Sequence, residues 1–365
     1  MKAAVLRAFN QPLAIEEVEV PEPHAGEVLV KVVATGVCHS DLHVIKGDIQ
    51  VPLPVVLGHE GAGIVEKVGP GVTTVSPGDH VVLAVLPSCG QCAPCVGGRP
   101  YICERSWPVI FSGTMMDGTR RLRNREGEEL SHLFAQSSFA EYAVVTERSA
   151  VPIRKEAPLE KMAVLGCGAT TGIGAVLNTA RVEAGTRVAV VGCGGVGLSV
   201  ILGAKLAGAL QIIGVDISKR KLRIAQDFGA THTIDSSRED LVQRVQELTE
   251  GGADYVFECV GHPDLMSQSF DATRAGGKTV IVGAAPMGAK VSVDALSLLM
   301  EKTLVGTPAG SLRPAIDIPR YVNLYLEGKL ELDRLVTCTY PLEKINEAFG
   351  AMQRGEVARS VIVYA

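Results

Sequence analysis

The chain has 365 residues, more than one hydrophobic core usually supports, so its length predicts two domains. Its composition is that of an ordinary globular protein, although 40 glycines indicate many tight turns. The net charge of −5 argues against nucleic acid as a partner, because nucleic-acid binding usually requires a basic face.

The first third of the chain predicts a mostly β domain. The segments 28–33, 61–68 and 80–85 are β-rich runs, and the turn sequences GPG and SPGD separate the second run from the third. The N-terminal residues contain no long apolar stretch before charged residues return, so we expect no signal peptide and a cytoplasmic protein. The charged segment 117–129 is expected to be a solvated surface loop, with a binding role as the alternative.

Four cysteines follow one another as C-x2-C-x2-C-x7-C within residues 89–103. This spacing is typical of structural zinc, because one loop can wrap a tetrahedral ion with four thiolates. The loop is rich in Gly and Pro, so a metal would supply folding free energy that its own side chains lack. The alternatives are two disulfides or four buried thiols, and disulfides are rare in reducing compartments. The predicted ligands are Cys89, Cys92, Cys95 and Cys103.

The character of the chain changes near residue 169, where short apolar strands begin to alternate with helical stretches. Such alternation predicts a parallel sheet with helices on both faces. The predicted strands are 187–191, 211–215, 255–259 and 278–282, and the predicted helices are 196–207 and 219–228. The apolar stretch 198–215 is interrupted by polar residues and glycine, so we expect no membrane span.

The last part of the chain loses this rhythm after about residue 307. It predicts a helix at 318–326, a strand near Cys338, a helix at 342–352 and a final strand at 360–364. We expect this tail to return to the first domain. The predicted domains are therefore 1–168, 169–308 and the returning segment 309–365.

A glycine-rich motif, G-x-G-x-x-G, lies between the strand ending at 191 and the following helix. In this context it predicts a dinucleotide site, because the glycines let a pyrophosphate approach the amides of the helix N-terminus. Asp216 at the end of the next strand can accept hydrogen bonds from the adenosine ribose and would repel a 2′-phosphate, which favours NAD over NADP. Lys221 could steady the same ribose. The alternative is a glycine-rich turn without a ligand; the residues of the motif are Gly192, Gly194, Gly195 and Gly197.

Three further metal-competent residues lie outside the four-cysteine loop: Cys38, His59 and Cys167. Taken singly, each would be interpreted as a packed core residue. Together they offer two thiolates and one imidazole, which leaves zinc a fourth position for water or substrate. This ligand composition predicts a catalytic zinc site.

The order and spacing of several motifs resemble the zinc-dependent medium-chain alcohol dehydrogenases over essentially the whole chain, most closely the liver-type branch. The motifs are GVCHSDLH, GHEGAGIVEKVGPGV, the four-cysteine loop, GTMMDGT, GCGATTG, VGCGGVG and VDISKRK. The resemblance implies an α/β fold, with a Rossmann doubly wound parallel sheet and a GroES-like, mostly β catalytic domain. It also implies two zinc ions per subunit, NAD, and a homodimer, with a homotetramer as the alternative.

The same resemblance implies roles around the catalytic zinc. Asp41 would orient His59, and Glu60 would sit beside the metal, in a catalytic or a hydrogen-bonding role. Ser40 would hydrogen-bond the substrate oxygen, and His43 would pass the proton to solvent through a cofactor ribose hydroxyl. The alternatives are a turn-capping role for Ser40 and a surface position for His43.

The resemblance further implies contacts to the cofactor and a substrate pocket. Thr171 and Val196 would press on the nicotinamide, and His39 and Arg359 would lie near the pyrophosphate, with a surface position as the alternative for His39. The pocket wall is apolar, so we expect a small apolar alcohol or aldehyde. Its implied residues are Ile49, Val85, Ile102, Trp107, Leu133 and Ala284.

The implied activity is NAD-linked oxidation of primary alcohols, medium-chain or aromatic, and the reverse, by hydride transfer from a zinc-bound alkoxide. Val85 replaces a larger aromatic residue of the liver enzymes, which favours bulky or aromatic alcohols. The main alternative is an S-(hydroxymethyl)glutathione, or formaldehyde, dehydrogenase. Those enzymes carry Arg where Trp107 stands, with Arg105 nearby, and Tyr where His43 stands. A non-catalytic NAD-binding zinc protein and a zinc-free quinone reductase are further alternatives.

Overall fold

The chain crosses between two units twice in the computed structural model, which describes residues 1–365. The first unit comprises Met1–Gly168 and Arg313–Ala365, and the second comprises Ala169–Leu312. The return to the first unit therefore begins at Arg313, whereas the sequence placed it at residue 309.

The first unit is built mainly of strands, because its β-branched residues alternate between core and solvent. Three helices, α1 (His39–Lys46), α2 (Ala93–Val96) and α3 (Leu159–Met162), lie between them. The strands are β1 (Lys2–Leu6), β2 (Ala14–Glu17), β3 (Glu27–Gly36), β4 (Val55–Val56), β5 (Gly61–Val68), β6 (His80–Leu83), β7 (Leu122–Arg123), β8 (Glu129–His132), β9 (Tyr142–Thr146) and β10 (Ala150–Pro152).

The second unit is a parallel α/β sheet. After α4 (Gly168–Gly174) and a π-helical turn at Ala175–Ala180, strands and helices alternate. The strands are β11 (Arg187–Val191), β12 (Gln211–Asp216), β13 (His232–Asp235), β14 (Ala253–Glu258), β15 (Thr273–Ile281) and β16 (Thr303–Gly306). The helices are α5 (Gly195–Leu206), α6 (Lys219–Phe228), α7 (Leu241–Thr249), α8 (Pro263–Asp271) and α9 (Ala295–Leu299).

The six strands of the second unit are ordered β13-β12-β11-β14-β15-β16, and every pair is parallel. The strand order reverses between β11 and β14, which is where doubly wound sheets bind dinucleotides. The predicted Rossmann sheet is thus confirmed.

The returning segment adds α10 (Pro314–Leu326), β17 (Val336–Tyr340), α11 (Ile345–Gln353) and β18 (Arg359–Val363). β18 pairs antiparallel with β3 and parallel with β17, so the end of the chain completes the sheet β10-β6-β5-β3-β18-β17, with β9 also on β3. A second sheet of this unit has the order β2-β1-β4-β8-β7. The predicted mostly β, GroES-like domain is confirmed by this architecture.

No single helix combines the length and hydrophobicity of a membrane span. The two helices Leu159–Gly166 and Gly168–Ala180 meet both criteria only when they are counted as one segment, and the chain bends sharply between them.

Candidate active site and metal centres

The four-cysteine loop forms one compact group of thiols in the first unit. The sulfur atoms of Cys89, Cys92, Cys95 and Cys103 all lie within 4.8 Å of one another, and every cysteine in the chain is free of disulfides. Backbone amides point at the sulfurs: the N–H of Cys89 donates to Cys103 Sγ (3.3 Å), and the N–H of Cys92 donates to Cys89 Sγ (3.4 Å). Burial opposes ionisation of Cys103, but the amides of Cys89 and Arg105 outweigh it and lower the pKa of this thiol to about 6. Four converging sulfurs with amide donors fit a tetrahedral zinc.

A second group of metal-competent atoms is brought together from three distant segments. Cys38 lies between β3 and α1, His59 and Glu60 precede β5, and Cys167 precedes α4. One ligand atom from each of these four residues lies within 4.8 Å of all the others. A hydrogen bond from Cys167 and the adjacent His59 hold the pKa of Cys38 well below that of an ordinary thiol, despite its burial.

The orientation of His59 is fixed from one side, and its other nitrogen has no partner. Its Nδ1 donates to Oδ1 of Asp41 (3.2 Å), and both side chains are fully buried. Its Nε2 is buried without a hydrogen-bond partner. The ring also packs against Phe134, with 4.9 Å between the ring centroids. A buried imidazole nitrogen without a partner, beside two thiols, fits a metal ligand.

Glu60 forms a buried ion pair behind this group. Its Oε1 accepts the N–H of Gly168 (2.9 Å), and its Oε2 pairs with Arg359. Burial raises the pKa of Glu60 to about 7 although Arg359 opposes the shift. The close approach requires glycine, because a Cβ on Gly36 would stand 2.0 Å from Oε2. Arg359 is thus engaged with Glu60 in this structure, and its contact to the pyrophosphate stays a prediction.

The predicted proton-transfer residues lie on α1, which begins directly after Cys38. The Sγ of Cys38 lies 3.8 Å from Oγ of Ser40. His43, one turn further, pairs through Nδ1 with Oδ2 of Asp48 (2.9 Å), and both are partly exposed. Asp48 belongs to no sequence motif and was not predicted. His39 is exposed at the start of the same helix.

The glycine-rich motif occupies the turn from β11 into α5, and its glycines have different structural roles. Gly192 has φ of +93°, where other residues are strained. A Cβ on Gly194 would meet no atom within 4 Å, so open space remains there for a ligand. A Cβ on Gly197 would stand 1.8 Å from the carbonyl oxygen of Gly192, so the helix could not approach the strand. Gly195 begins α5. These roles fit a pyrophosphate-binding turn.

Asp216 is held beside this turn at the end of β12. Its Oδ2 accepts the N–H of Cys193 (2.9 Å), and its Oδ1 accepts the N–H of Ser218 (2.9 Å). Lys221 lies 3.9 Å from the same carboxylate. The carboxylate is therefore fixed in the place where a dinucleotide fold presents an acid to the ribose.

The helices that carry two predicted nicotinamide contacts, Thr171 and Val196, approach each other closely within the second unit. Thr171 lies on α4, and a Cβ on the next residue, Gly172, would stand 2.5 Å from the carbonyl oxygen of Val196 on α5. Two exposed apolar residues at the ends of β12 and β14 were missed by the sequence argument: Ile217 and Val260. Their signal was an apolar residue within two positions of the end of a strand.

The implied pocket residues are spread over several elements. Val85 and Leu133 are buried, whereas Trp107 is 43% exposed. The N–H of Val85 donates to Gly166 O (3.0 Å), which places it beside the segment that carries the metal-competent thiol. The half-buried members are Ile49 and Ile102, and Ala284 belongs to the second unit. Their role as a single pocket stays a prediction.

Comparisons with known proteins agree with this geometry. Residues 24–155 match the alcohol dehydrogenase GroES-like domain, and residues 195–326 match the zinc-binding dehydrogenase family. The chain is 42% identical to S-(hydroxymethyl)glutathione dehydrogenase of Paracoccus denitrificans, covering 100% of this chain and 99% of that protein. It is 43% identical to alcohol dehydrogenase class-3 of Drosophila melanogaster, covering 100% and 97%. The crystal structure of benzyl alcohol dehydrogenase from Acinetobacter calcoaceticus is similar with a TM-score of 0.95 and 40% identity, covering 100% and 99%.

The chain therefore belongs to the zinc-dependent medium-chain alcohol dehydrogenases. It is an enzyme, an NAD-dependent zinc alcohol dehydrogenase, as the resemblance implied. The non-catalytic and zinc-free alternatives have no support from these matches.

Proposed function

We propose that the enzyme oxidises primary alcohols to aldehydes with NAD, and that aromatic alcohols are its preferred substrates. The observation that carries the proposal is the metal-competent group formed by Cys38, His59 and Cys167, in which the buried His59 Nε2 has no partner. Zinc held there supplies a Lewis acid that lowers the pKa of an alcohol, and NAD accepts the hydride. The protein contributes position, exclusion of water and a path for the proton.

The path for the proton follows α1. Ser40 lies next to Cys38, where its hydroxyl can accept a proton from the substrate alcohol and pass one onward. His43 is one turn away and partly exposed, so its ring can pass protons to solvent. Asp48 accepts from its Nδ1 and so holds the ring in one orientation. This geometry supports the predicted relay.

Aromatic alcohols are favoured by the small side chain at Val85 and by the buried, apolar Leu133. A large aromatic residue at Val85 would occupy space that a substrate ring needs. The similarity to the benzyl alcohol dehydrogenase of Acinetobacter calcoaceticus supports the same substrate class.

S-(hydroxymethyl)glutathione is the second candidate substrate. It has the stronger support among the curated relatives, since the Paracoccus denitrificans protein is named for it. Arg105 is exposed and forms no ion pair, so it offers a free cation for a glutathione carboxylate close to Trp107. Against it stand Trp107 itself and His43, at positions where the resemblance implies Arg and Tyr in such enzymes.

Kinetic assays with each substrate in turn test both candidates. Formation of NADH would be followed with benzyl alcohol, ethanol, and formaldehyde with and without glutathione, on zinc-loaded enzyme. The proposal expects kcat/KM to be highest for benzyl alcohol and independent of glutathione. A higher value for the glutathione adduct, lost in Arg105→Ala and kept in the matched control Arg99→Ala, would establish the second candidate instead.

We also propose a homodimer, with a homotetramer as the alternative. The segment before the edge strand β16 carries several exposed apolar side chains, which a second copy could cover. They are Met287, Val291, Leu296, Leu298, Leu299 and Met300. Light scattering after gel filtration would measure the mass, and a monomer would contradict the proposal. Nine free cysteines and thiolate metal sites suit a reducing compartment such as the cytoplasm.

A further inference from the structure

Glu258, the last residue of β14, is fully buried and forms no ion pair. Its Oε1 accepts two backbone N–H groups, from Val260 and Gly261, each at 2.8 Å. Its Oε2 is buried without a hydrogen-bond partner. Burying a carboxyl group costs free energy. The hydrogen bonds from the two backbone amides are the interactions that offset this cost here.

Those amides belong to the turn that leaves β14. The N–H of Cys259 donates to the carbonyl of Val191 at the end of β11 (2.8 Å). The carbonyl of Glu258 accepts from Val282 (2.8 Å) and Gly283 (2.9 Å), which follow β15. The backbone of Glu258 and Cys259 therefore ties the ends of three neighbouring parallel strands together, and the side chain of Glu258 binds the turn that follows.

The turn has little freedom of its own. Gly261 has φ of +91°, and a Cβ there would stand 2.3 Å from the carbonyl oxygen of Ala284. A Cβ on Gly283 would stand 2.2 Å from the N–H nitrogen of Gly261. The backbone of the turn is thus interlocked with the segment after β15, and the carboxylate also binds the N–H of Val260, the residue directly before this contact.

That residue, Val260, lies next to the pyrophosphate turn. Its side chain is 53% exposed, and its Cγ2 would be only 2.6 Å from a Cβ on Gly192. It also stands at the reversal of strand order between β11 and β14, where a dinucleotide crosses the sheet edge. An exposed valine at this place offers an apolar wall to the cofactor.

We infer that Glu258 is a positioning residue for NAD, which holds Val260 against the glycine-rich turn so that the apolar wall is in place before the cofactor binds. A wall held in advance costs no ordering when the cofactor arrives, and this raises affinity. The inference rests on NAD use and is independent of which alcohol is oxidised.

The test is a double-mutant cycle on zinc-loaded, full-length enzyme, with NADH binding measured by fluorescence titration. Glu258→Met removes the acceptor at similar length, and we expect NADH affinity to fall about tenfold, with the KM for NAD rising and the zinc content unchanged. Glu258→Gln is the matched control, because its amide oxygen can still accept both N–H groups, and it should bind NADH like the wild type. Val260→Ala should weaken binding, but little further when added to Glu258→Met, since the two residues act as one unit.

Additive losses in the double mutant, or wild-type NADH affinity in Glu258→Met, would overturn the inference. If Glu258→Met does not fold, Glu258→Asp replaces it. The shorter side chain keeps the charge but cannot reach both amides, so unchanged NADH affinity in this variant would also refute the role. A wild-type enzyme that binds no NADH would instead remove the cofactor assignment itself, a result distinct from failure of the variants alone.

Discussion

The imidazole of His59 donates to Asp41 at 3.2 Å, and the same carboxylate oxygen accepts the N–H of Gly58 at 2.9 Å. The acid therefore binds both the ring and the turn that carries it. Neither side chain is exposed to solvent, so no water can take the place of Asp41 as the hydrogen-bond acceptor of the ring. The direction of Nε2 towards Cys38 and Cys167 follows from this contact, since the ring can rotate only if the hydrogen bond breaks.

Replacement of Asp41 by Asn should weaken the catalytic metal site. The amide oxygen is a poorer acceptor for Nδ1–H than a carboxylate, and the opposite orientation of the amide would place two donors face to face. We therefore expect zinc affinity or activity to fall about 10- to 100-fold. Zinc retained after dialysis against a chelator, measured with kcat, checks this. Asp48→Asn is the control, because it changes the partner of His43 and should leave zinc retention intact. Equal zinc loss in both variants would contradict the role of Asp41.

Loss of one thiol of the four-cysteine loop should reduce the stability of the protein more than its catalytic activity. Cys95 belongs to the four-sulfur group, so Cys95→Ala should release one zinc per chain and lower Tm by more than about 5 °C. Cys338→Ala is the matched control, since Cys338 is half-buried in β17 and belongs to neither group. Thermal unfolding and metal analysis measure both effects. An unchanged Tm in Cys95→Ala would show that the loop needs no metal.

Replacement of Asp216 should relax the choice between NAD and NADP. The carboxylate would repel a 2′-phosphate, while Lys221 lies 3.9 Å from it and would be released to attract one. We expect Asp216→Gly to raise the ratio of kcat/KM for NADP to that for NAD by at least about tenfold. Lys221→Met in the same background should reverse part of the gain. A constant ratio would mean that other groups exclude NADP.

Much of the site could be predicted because its chemistry constrains the sequence. Metal ligands and glycines of the dinucleotide turn admit few substitutes, and the spacing of the four-cysteine loop is local. The helices α7 and α8 and the edge strand β16 were not predicted, since short amphipathic segments without a motif resemble loops.

The charged segment 117–129 shows what a local pattern misses. It was predicted to be a solvated loop, yet the side chain of Arg121 is only 3% exposed. It binds Glu27 on β3 through two nitrogens, at 3.0 and 2.8 Å, and Asp117 at 2.6 Å. Glu27 is far away in sequence, so no window around Arg121 contains the partner that permits its burial. Glu258 and Asp48 were missed for a related reason: their importance lies in which amide or ring they meet.

A buried histidine beside this segment predicts how stability depends on pH. Burial, with the charges of Arg121 and Arg120, lowers the pKa of His132 to about 3. Its Nε2 accepts the N–H of Arg121 (3.0 Å), so the neutral ring carries its proton on Nδ1, which faces Ser137 Oγ (3.4 Å). The folded protein therefore holds this ring neutral where an unfolded chain would protonate it.

The sign follows from that difference. Above about pH 6.5 the ring is neutral in both the folded and the unfolded state, so it adds no pH dependence. Below about pH 6.5 only the unfolded state binds the extra proton. The free energy of unfolding therefore falls by up to about 1.4 kcal/mol per pH unit until the folded pKa is reached. His132→Gln, which cannot titrate, should lose stability less steeply between pH 6.5 and 4.5 than the wild type. Urea midpoints of both proteins across this range measure the difference. His262→Gln, a change at an exposed histidine, is the control, and parallel curves for all three proteins would exclude His132 as the titrating group.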